Sequence, residues 1–413
     1  MSYRHTDRTA DTADLIAPPE TGFRLEPSND IDYRDKFRGA MVGTGIGDAL
    51  GRPAEGMHPL SIRDRWGYLE DYVPWDGWTS GPKGTLTDDT ELALCIAQSV
   101  VETGEFDPKD LAERFHAWYP VGRGIGSATW AACDRLERGA TWFHSGSASA
   151  GNGAAMRAAP LGLAAPFDMD ELRRISAWSA VITHADPTAV ASTVVMAYTV
   201  AHLVHTVPGS LDLDELLTGV DRSLEGLADP ELPSRRPPGS TTLRQRIHDV
   251  FEMRDQPLED VFAVTHNGAF VLESLPAAIA AFIVNTESAE GVITEAVNGG
   301  FDADTVGAMA GALAGAYHGY SAFPDRWTGD LEFVSGLVGL GDELAYRAEL
   351  GPSLELSSDP VLDEYAPVTI EGERWITQAH VEAAEHAPEI RHEIRLQPHP
   401  QGATRLAMAD RRW

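Results

Sequence analysis

Cysteine and basic residues are both scarce in this 413-residue chain. The two cysteines, Cys95 and Cys133, show no metal-ligand spacing, which excludes a disulfide framework and a zinc-finger type of site and predicts two ordinary core residues. Only 32 Lys and Arg face 63 Asp and Glu, a formal net charge of −31. Because binding of a phosphate backbone requires a basic surface, the composition argues against a nucleic-acid partner.

Long hydrophobic runs are also missing. A strongly apolar stretch such as Val306 to Tyr317 is too short to cross a bilayer. The first residues, MSYRHTDRTADTADL, contain no apolar signal core. We therefore expect no membrane partner and a cytoplasmic location, and 43% hydrophobic residues are enough for a large core.

Strand signals are few, and apolar residues recur mostly at helical spacing, which predicts an all-α fold. Residues 1–32 are polar and proline-containing, so they are interpreted as a flexible N-terminal arm or a surface strap. The main domain is predicted over residues 33–350. It includes a proline- and charge-rich helical insertion at about 207–257, and an irregular C-terminal extension follows at 351–413.

Two predicted helices carry glycine at every fourth position. The glycines of the first lie at 39, 43, 47 and 51, and those of the second at 307, 311, 315 and 319. A glycine inside a helix costs about 1 kcal/mol relative to alanine, so each stripe implies very close packing. The two helices are expected to pack against each other or against other small residues, and the second is expected to be central.

Two acidic clusters stand at predicted helix starts. They are Thr87-Asp88-Asp89 and Asp302-Ala303-Asp304-Thr305. Each cluster alone is explained by capping and by the helix dipole, and Asp88 with Glu91 has the spacing of a capping box. If the clusters meet, however, four carboxylates repel one another unless cations lie between them. An all-oxygen ligand set suits Mg²⁺ or Mn²⁺ better than zinc or iron, and no HExxH helix competes for the role.

Two glycine loops precede helical stretches, in VGRGIGSATW and in SASAGNGAAMR. Such loops present backbone N–H groups that suit phosphate oxygens, although neither is a GxGxxG fingerprint or a P-loop. His184 lies just before a helix with Asp186 as predicted N-cap and Pro187 as predicted first residue. A lone histidine at such a place is more often structural than functional.

The motifs RGAMVGTGIGDALGRPAE, TDDTELAL, GNGAAMRAAPLGL, THADPTAV, NGGFDADTVGAMAGALAGAYHG and FPDRW follow one another in this order. Together they resemble the ADP-ribosylglycohydrolases, from about Tyr33 to Leu350. The agreement of several ordered motifs makes the resemblance specific. It implies a compact orthogonal helical bundle with a binuclear Mg²⁺ or Mn²⁺ centre in a cleft.

The resemblance also implies roles for particular residues. The metal ligands would be Thr87, Asp88, Asp89, Asp302, Asp304 and Thr305. Glu55 and Asp89 would be the catalytic proton acceptor or donor. The substrate would be bound by Gly124, Ile125, Gly126 and Ser127, by Ser149, Gly151 and Asn152, and by His184 near the distal ribose. Phe301, which does not belong to the family pattern, is a further candidate substrate-binding residue.

The chain departs from the common family pattern at Phe301, because Gly300-Phe301-Asp302 stands where GGD is usual. An aromatic residue there is expected to alter the leaving-group side of the cleft. The leading hypothesis is a metal-dependent hydrolase that releases ADP-ribose from an acceptor, and the expected acceptor is an arginine on an ADP-ribosylated protein.

Two alternatives stay open. One is hydrolysis of a smaller ribosyl compound, either a nucleoside or a free ADP-ribose derivative. The other is a non-catalytic structural or binding role, which the presence of all six ligand residues disfavours.

Overall fold

The computed structural model describes residues 15, 17–28, 30–75, 79, 81–234 and 239–350, together with the backbone of two later strands. Predictions for residues 1–14 and for most of 351–413 lie outside these residues. Within the described part the protein is built almost entirely from helices, so the predicted all-α class is confirmed.

Sixteen α-helices are present in the described residues. In chain order they are α1 Tyr33–Gly51, α2 Pro59–Trp66, α3 Asp88–Thr103, α4 Pro108–Trp118, α5 Ser127–Glu137, α6 Ala159–Ala164, α7 Met169–Val181, α8 Pro187–Val204, α9 Leu213–Ser223, α10 Leu243–Glu252, α11 Leu258–Thr265, α12 Val271–Val284, α13 Ala289–Asn298, α14 Ala303–His318, α15 Asp325–Thr328 and α16 Val334–Arg347. Short 3₁₀ turns follow α1 at Arg52–Ala54 and α14 at Tyr320–Ala322.

Strands form only two small antiparallel pairs in the described part of the chain. In the first, β1 Leu232–Ser234 pairs with β2 Gly239–Thr241 inside the predicted insertion. In the second, β3 Ile394–Pro398 pairs with β4 Thr404–Met408. The core of the part of the chain whose burial is described is made of helix packed on helix.

The two glycine-striped helices, α1 and α14, lie against each other in antiparallel directions at the centre of the fold. A Cβ atom at Gly47 would collide with the carbonyl oxygen of Gly307, and one at Gly43 would collide with that of Gly311. Glycine at these positions lets the two backbones touch. The prediction that the stripes pack on each other is confirmed, and α14 is buried along nearly its whole length.

Apolar helices surround this central pair. Helices α8, α12 and α13 pack on α14, and α16 packs on α1. By length and composition alone, α8 could span a membrane, with a mean hydropathy of 1.4 over its 18 residues. The prediction that the apolar stretches are all too short to cross a bilayer is therefore wrong for α8. Helix α8 is 94% buried inside the protein, so in this fold it serves as a core helix.

The predicted insertion supplies α9, the β1–β2 hairpin and α10. Helix α10 packs on α12, and its buried Arg246 donates a hydrogen bond of 2.5 Å to the hydroxyl of Ser234 in β1. Ahead of α1, the backbone N–H of Leu25 donates to the carbonyl of Phe167 at 2.9 Å. The described residues before α1 therefore lie along the surface close to the start of α7.

Candidate metal centre and substrate cleft

The first acidic cluster is held by an aspartate that sequence reasoning missed. Asp48 of α1 is fully buried, and its carboxylate accepts hydrogen bonds from the backbone N–H and the hydroxyl of Thr87, the latter at 2.8 Å. It also accepts the Thr90 hydroxyl at 2.6 Å. The available signal was a lone acid, Asp48, within an otherwise apolar and glycine-rich helix.

Capping does not explain this cluster. Thr87 is the N-cap of α3, yet its side chain makes no capping hydrogen bond, so the capping-box reading of Asp88 and Glu91 is wrong. Glu91 instead accepts hydrogen bonds from the indole N–H of Trp118 at 2.8 Å and from the guanidinium of Arg123 at 2.6 Å. Glu91 thus fixes the loop that leads into the first glycine motif.

The second cluster stands at the start of α14. Asp302 occupies the N-cap position without a capping hydrogen bond, so capping does not account for it either. Its carboxylate accepts a hydrogen bond of 2.5 Å from the side-chain amide of Asn152. The carboxylate of Asp304 accepts the backbone N–H of Thr305 at 3.0 Å. Asn152 therefore links the second glycine loop to the acidic cluster.

The fold brings the acidic residues together. One carboxylate oxygen each from Glu55, Asp302 and Asp304 lies within 4.8 Å of the others. Burial raises the pKa of Asp304 well above its ordinary value, and the nearby charges of Glu55 and Asp89 raise it further. The pKa of Asp89 is raised well above its ordinary value by burial and then by Asp48 and Asp302. The two clusters thus act on each other electrostatically.

The pKa of Asp88 is shifted in the same direction as those of Asp89 and Asp304. Burial raises its pKa well above the ordinary value, and the adjacent Asp89 adds to the effect. Burial also raises the pKa of Asp302, while the hydrogen bond from Asn152 opposes that shift. So many desolvated carboxylates in one place are unfavourable without a compensating positive charge.

One oxygen in this cluster has no partner within the described part of the protein. Oδ1 of Asp89 is buried and makes no hydrogen bond, whereas Oδ2 accepts the Thr87 hydroxyl at 3.1 Å. An unpaired buried carboxylate oxygen is costly unless a cation neutralises it. Together with an all-oxygen donor set, this orphaned atom fits a hard divalent cation such as Mg²⁺ or Mn²⁺.

The first glycine loop lies against this cluster. The backbone N–H of Gly126 donates to Asp88 at 3.3 Å. Gly124 has a φ of +79°, a backbone conformation that favours glycine, and a Cβ there would lie within 3.2 Å of Oδ1 of Asp88 and crowd it. Ile125 is partly exposed beside them, and Ser127 is exposed at the first position of α5.

The second glycine loop contacts His184. A Cβ at Gly153 would lie only 2.7 Å from the imidazole, so the ring and the loop backbone are tightly apposed. Nδ1 of His184 and the Thr183 hydroxyl form a hydrogen bond of 2.8 Å. In the same loop the Ser149 hydroxyl accepts the backbone N–H of Gly151 at 3.2 Å. His184 thus supports the loop that carries Asn152.

His184 is suited to binding rather than to proton transfer. Burial lowers the pKa of its imidazole to about 3, and the positive charge of Arg157 contributes in the same direction. The ring is therefore neutral near pH 7. Asp186 is the N-cap of α8 and accepts the backbone N–H of Thr188 at 2.8 Å, as predicted.

A comparison with known proteins identifies the family. The family model described as ADP-ribosylglycohydrolase matches residues 29–352. The chain belongs to this family, and it is an enzyme of the ADP-ribosylhydrolase type, as the resemblance implied.

Similar proteins support this assignment. The ADP-ribosylarginine hydrolase Tri1 of Serratia proteamaculans is 30% identical over 76% of this chain and 80% of its own length. The ADP-ribosylhydrolase ARH3 of Gallus gallus is 29% identical over 71% of this chain and 88% of its own. A solved structure titled "ADP-ribosylglycohydrolase-related protein complex" is 30% identical, covering 77% of this chain and 99% of that one, with a TM-score of 0.61.

The family is metal-dependent, and the acidic cluster is compatible with that property. The names of similar proteins refer to ADP-ribosylated substrates of different kinds: Tri1 is named for ADP-ribosylarginine, and a relative from Rhodospirillum rubrum is named for ADP-ribosyl-dinitrogen reductase. The acceptor is therefore a separate question from the family.

Proposed function

We propose that this protein hydrolyses the glycosidic bond between ADP-ribose and an arginine side chain of a modified protein. The observation that carries the proposal is the convergence of Glu55, Asp302 and Asp304, whose carboxylate oxygens lie within 4.8 Å of one another. An acidic, buried centre next to two N–H-rich glycine loops suits a ribose joined to a pyrophosphate.

The residues that would hold two divalent cations, Mg²⁺ or Mn²⁺, are the six oxygen ligands Thr87, Asp88, Asp89, Asp302, Asp304 and Thr305. When bound, such cations supply positive charge that offsets the carboxylates, and they polarise hydroxyls and water. Asp48 positions this set, because it receives both the backbone N–H and the hydroxyl of Thr87.

The remaining residues bind and orient the substrate. The loop of Gly124, Ile125, Gly126 and Ser127 and the loop of Ser149, Gly151 and Asn152 would receive the pyrophosphate and the adjoining ribose. Neutral His184 would contact the ribose at the second loop. Bound in this way, the substrate would have the anomeric carbon of its ribose at the acidic centre.

Hydrolysis breaks the bond between that carbon and the acceptor nitrogen, and water supplies the new oxygen. Glu55, on the loop after α1, is the group that would take the proton from water, with Asp89 as the second acidic group able to do so. The departing nitrogen regains a proton. The surrounding carboxylates favour the positive charge that develops on the sugar as the bond breaks.

Binding and turnover test this proposal separately. Titration calorimetry of ADP-ribose is expected to show binding with Mg²⁺ and a large loss of binding after chelation. Peptides with ADP-ribosyl-arginine, peptides with ADP-ribosyl-serine and small ribosyl compounds are then compared for release of ADP-ribose or ribose. Cleavage of the small compounds alone would replace the arginine assignment, and binding without any cleavage would favour a non-catalytic role.

A further inference from the structure

Phe301 adopts a backbone conformation that its side chain disfavours. Its φ is +60°, in the left-handed region where glycine is at ease and a residue with a Cβ is strained. Such strain persists only where the surroundings enforce it, and it concentrates at functional sites. A glycine would fit this backbone without strain, whereas Phe301 places an aromatic ring directly before Asp302 of the acidic cluster.

Hydrogen bonds on both sides hold Phe301 in place. Its backbone N–H donates to the carbonyl of Met57 at 2.7 Å, and its carbonyl accepts the N–H of Gly56 at 2.6 Å. The next residue, Asp302, donates its N–H to the carbonyl of Asn267 at 2.9 Å. Phe301 is thus fastened to the loop carrying Glu55, directly beside the acidic centre.

Two imidazoles meet the ring of Phe301 in edge arrangements. His58 lies at a centroid distance of 5.6 Å with an interplanar angle of 79°, and His266 at 5.2 Å with 80°. The backbone N–H of Leu60 donates to Nδ1 of His58 at 3.2 Å, which fixes that ring at the start of α2. His58 is exposed, and Phe301 and His266 are partly exposed. We call His58, Phe301 and His266 the aromatic wall.

We propose that the aromatic wall is the acceptor subsite and that it binds the planar guanidinium of arginine as the leaving group. The inference rests on the proposed function and deepens it. A guanidinium is a flat, weakly hydrated cation that stacks on aromatic faces, whereas a serine hydroxyl offers neither a flat surface nor a charge.

Negative charge beside the wall favours a cationic acceptor. Glu55, which is not one of the six proposed cation ligands, lies three residues before His58 in the chain. Like the wall, its carboxylate attracts a guanidinium, but it attracts an ammonium equally well. The aromatic faces are what would distinguish arginine from lysine.

A binding experiment tests the wall without requiring turnover. Arginine methyl ester and lysine methyl ester, which carry equal charge, are titrated into the Mg²⁺-loaded protein with and without ADP-ribose. The wild type is expected to bind the arginine ester about 3- to 30-fold more tightly than the lysine ester. Equal affinities for the two esters would overturn the proposal.

Two substitutions at Phe301 test whether its aromatic ring causes the preference for the arginine ester over the lysine ester. Phe301→Gly removes both the ring and the backbone strain, and Phe301→Leu keeps a bulky side chain but removes the aromatic face. Both retain the backbone hydrogen bonds to Met57 and Gly56, and both are expected to abolish the preference for arginine. Glu349→Gly is the matched control, because Glu349 has a φ of +59° and is exposed at the far end of α16.

The two proposals fail in different ways. A preference for the arginine ester that survives in both Phe301 variants overturns the role of the wall. Loss of the preference in both variants supports the wall even if no ADP-ribosyl peptide is cleaved, in which case only the proposed hydrolysis fails. If peptides are cleaved, Phe301→Leu is expected to lower kcat/KM for arginine-linked ADP-ribose about tenfold. A similar fall for serine-linked ADP-ribose would show that Phe301 merely holds the Glu55 loop.

Discussion

Replacing Asp89 by asparagine is expected to change stability in opposite directions with and without divalent cations. In the wild type, Asp89 is buried beside other carboxylates, and its Oδ1 has no hydrogen-bond partner in the described residues. Asparagine keeps an oxygen able to accept the Thr87 hydroxyl but removes the negative charge. In chelator, Asp89→Asn is therefore expected to unfold at a higher temperature than the wild type.

The sizes of these stability changes can be estimated from general thermodynamic values. The burial penalty of the unsatisfied Asp89 side chain, whether it stays charged or takes up a proton, is about 1–3 kcal/mol. A cation at about 100 times its dissociation constant adds about 2.7 kcal/mol to the stability of the form that binds it. For a domain of about 320 residues the unfolding entropy is about 0.7 kcal/mol/K. Each occupied cation site is thus expected to raise the wild-type Tm by about 4 °C. In chelator, the Tm of Asp89→Asn is expected to exceed that of the wild type by about 1–4 °C.

Differential scanning calorimetry with EDTA, with Mg²⁺ and with Mn²⁺ measures these shifts. The Tm of the wild type should rise with cations, and that of Asp89→Asn should rise much less. Asp89→Asn is therefore expected to have the higher Tm in EDTA and the wild type the higher Tm with cations. Asp255→Asn, an exposed aspartate in the insertion, controls for removal of one charge anywhere on this acidic protein. If Asp89→Asn is less stable than the wild type in EDTA, or if cations stabilise both equally, Asp89 is not a cation ligand.

Three further substitutions test separate parts of the structure. Glu55→Gln is expected to lower kcat by about 100-fold or more with little change in ADP-ribose affinity, and an unchanged kcat would remove Glu55 from proton transfer. His184→Asn is expected to raise KM without moving the pH–rate profile, since a pKa of about 3 keeps the ring neutral at assay pH; a moved profile would contradict this. Gly47→Ala is expected to cost about 1–3 kcal/mol in chemical denaturation because its Cβ would collide with Gly307, whereas Gly126→Ala, with nothing within 4 Å, should cost less.

The helical class and the central helix pair could be predicted from the sequence for a physical reason. Repeated glycine in a helix is unfavourable unless another backbone comes close, so two stripes with the same spacing indicate each other as partners. Gly43 and Gly311 show this pairing directly. Helix α8 illustrates the opposite case, because its apolar composition does not reveal whether protein or lipid surrounds it, and only its burial in the fold does.

The acidic clusters could be recognised, but their supporting contacts could not. Asp48 looks like an isolated helical acid in the sequence, and its link to Thr87 depends on how α1 and α3 pack. Glu91 shows the same limitation, because local spacing suggests a cap while the folded chain pairs it with Trp118 and Arg123. Local patterns indicate which groups are chemically suitable, whereas partners distant in the chain depend on the tertiary structure.

The glycine stripes and the acidic centre are parts of one arrangement. Because α1 and α14 run antiparallel in backbone contact, the end of α1 meets the beginning of α14, and a Cβ at Gly51 would collide with the backbone of Ala303. This contact places Asp48 and the Glu55 loop opposite Asp302 and Asp304. The clusters at the starts of α3 and α14 also face the positive ends of two helix dipoles, which favour negative charge but only by about 1 kcal/mol each. That is too little to offset several buried carboxylates, and the cations that we propose for this centre would supply the rest of the compensation.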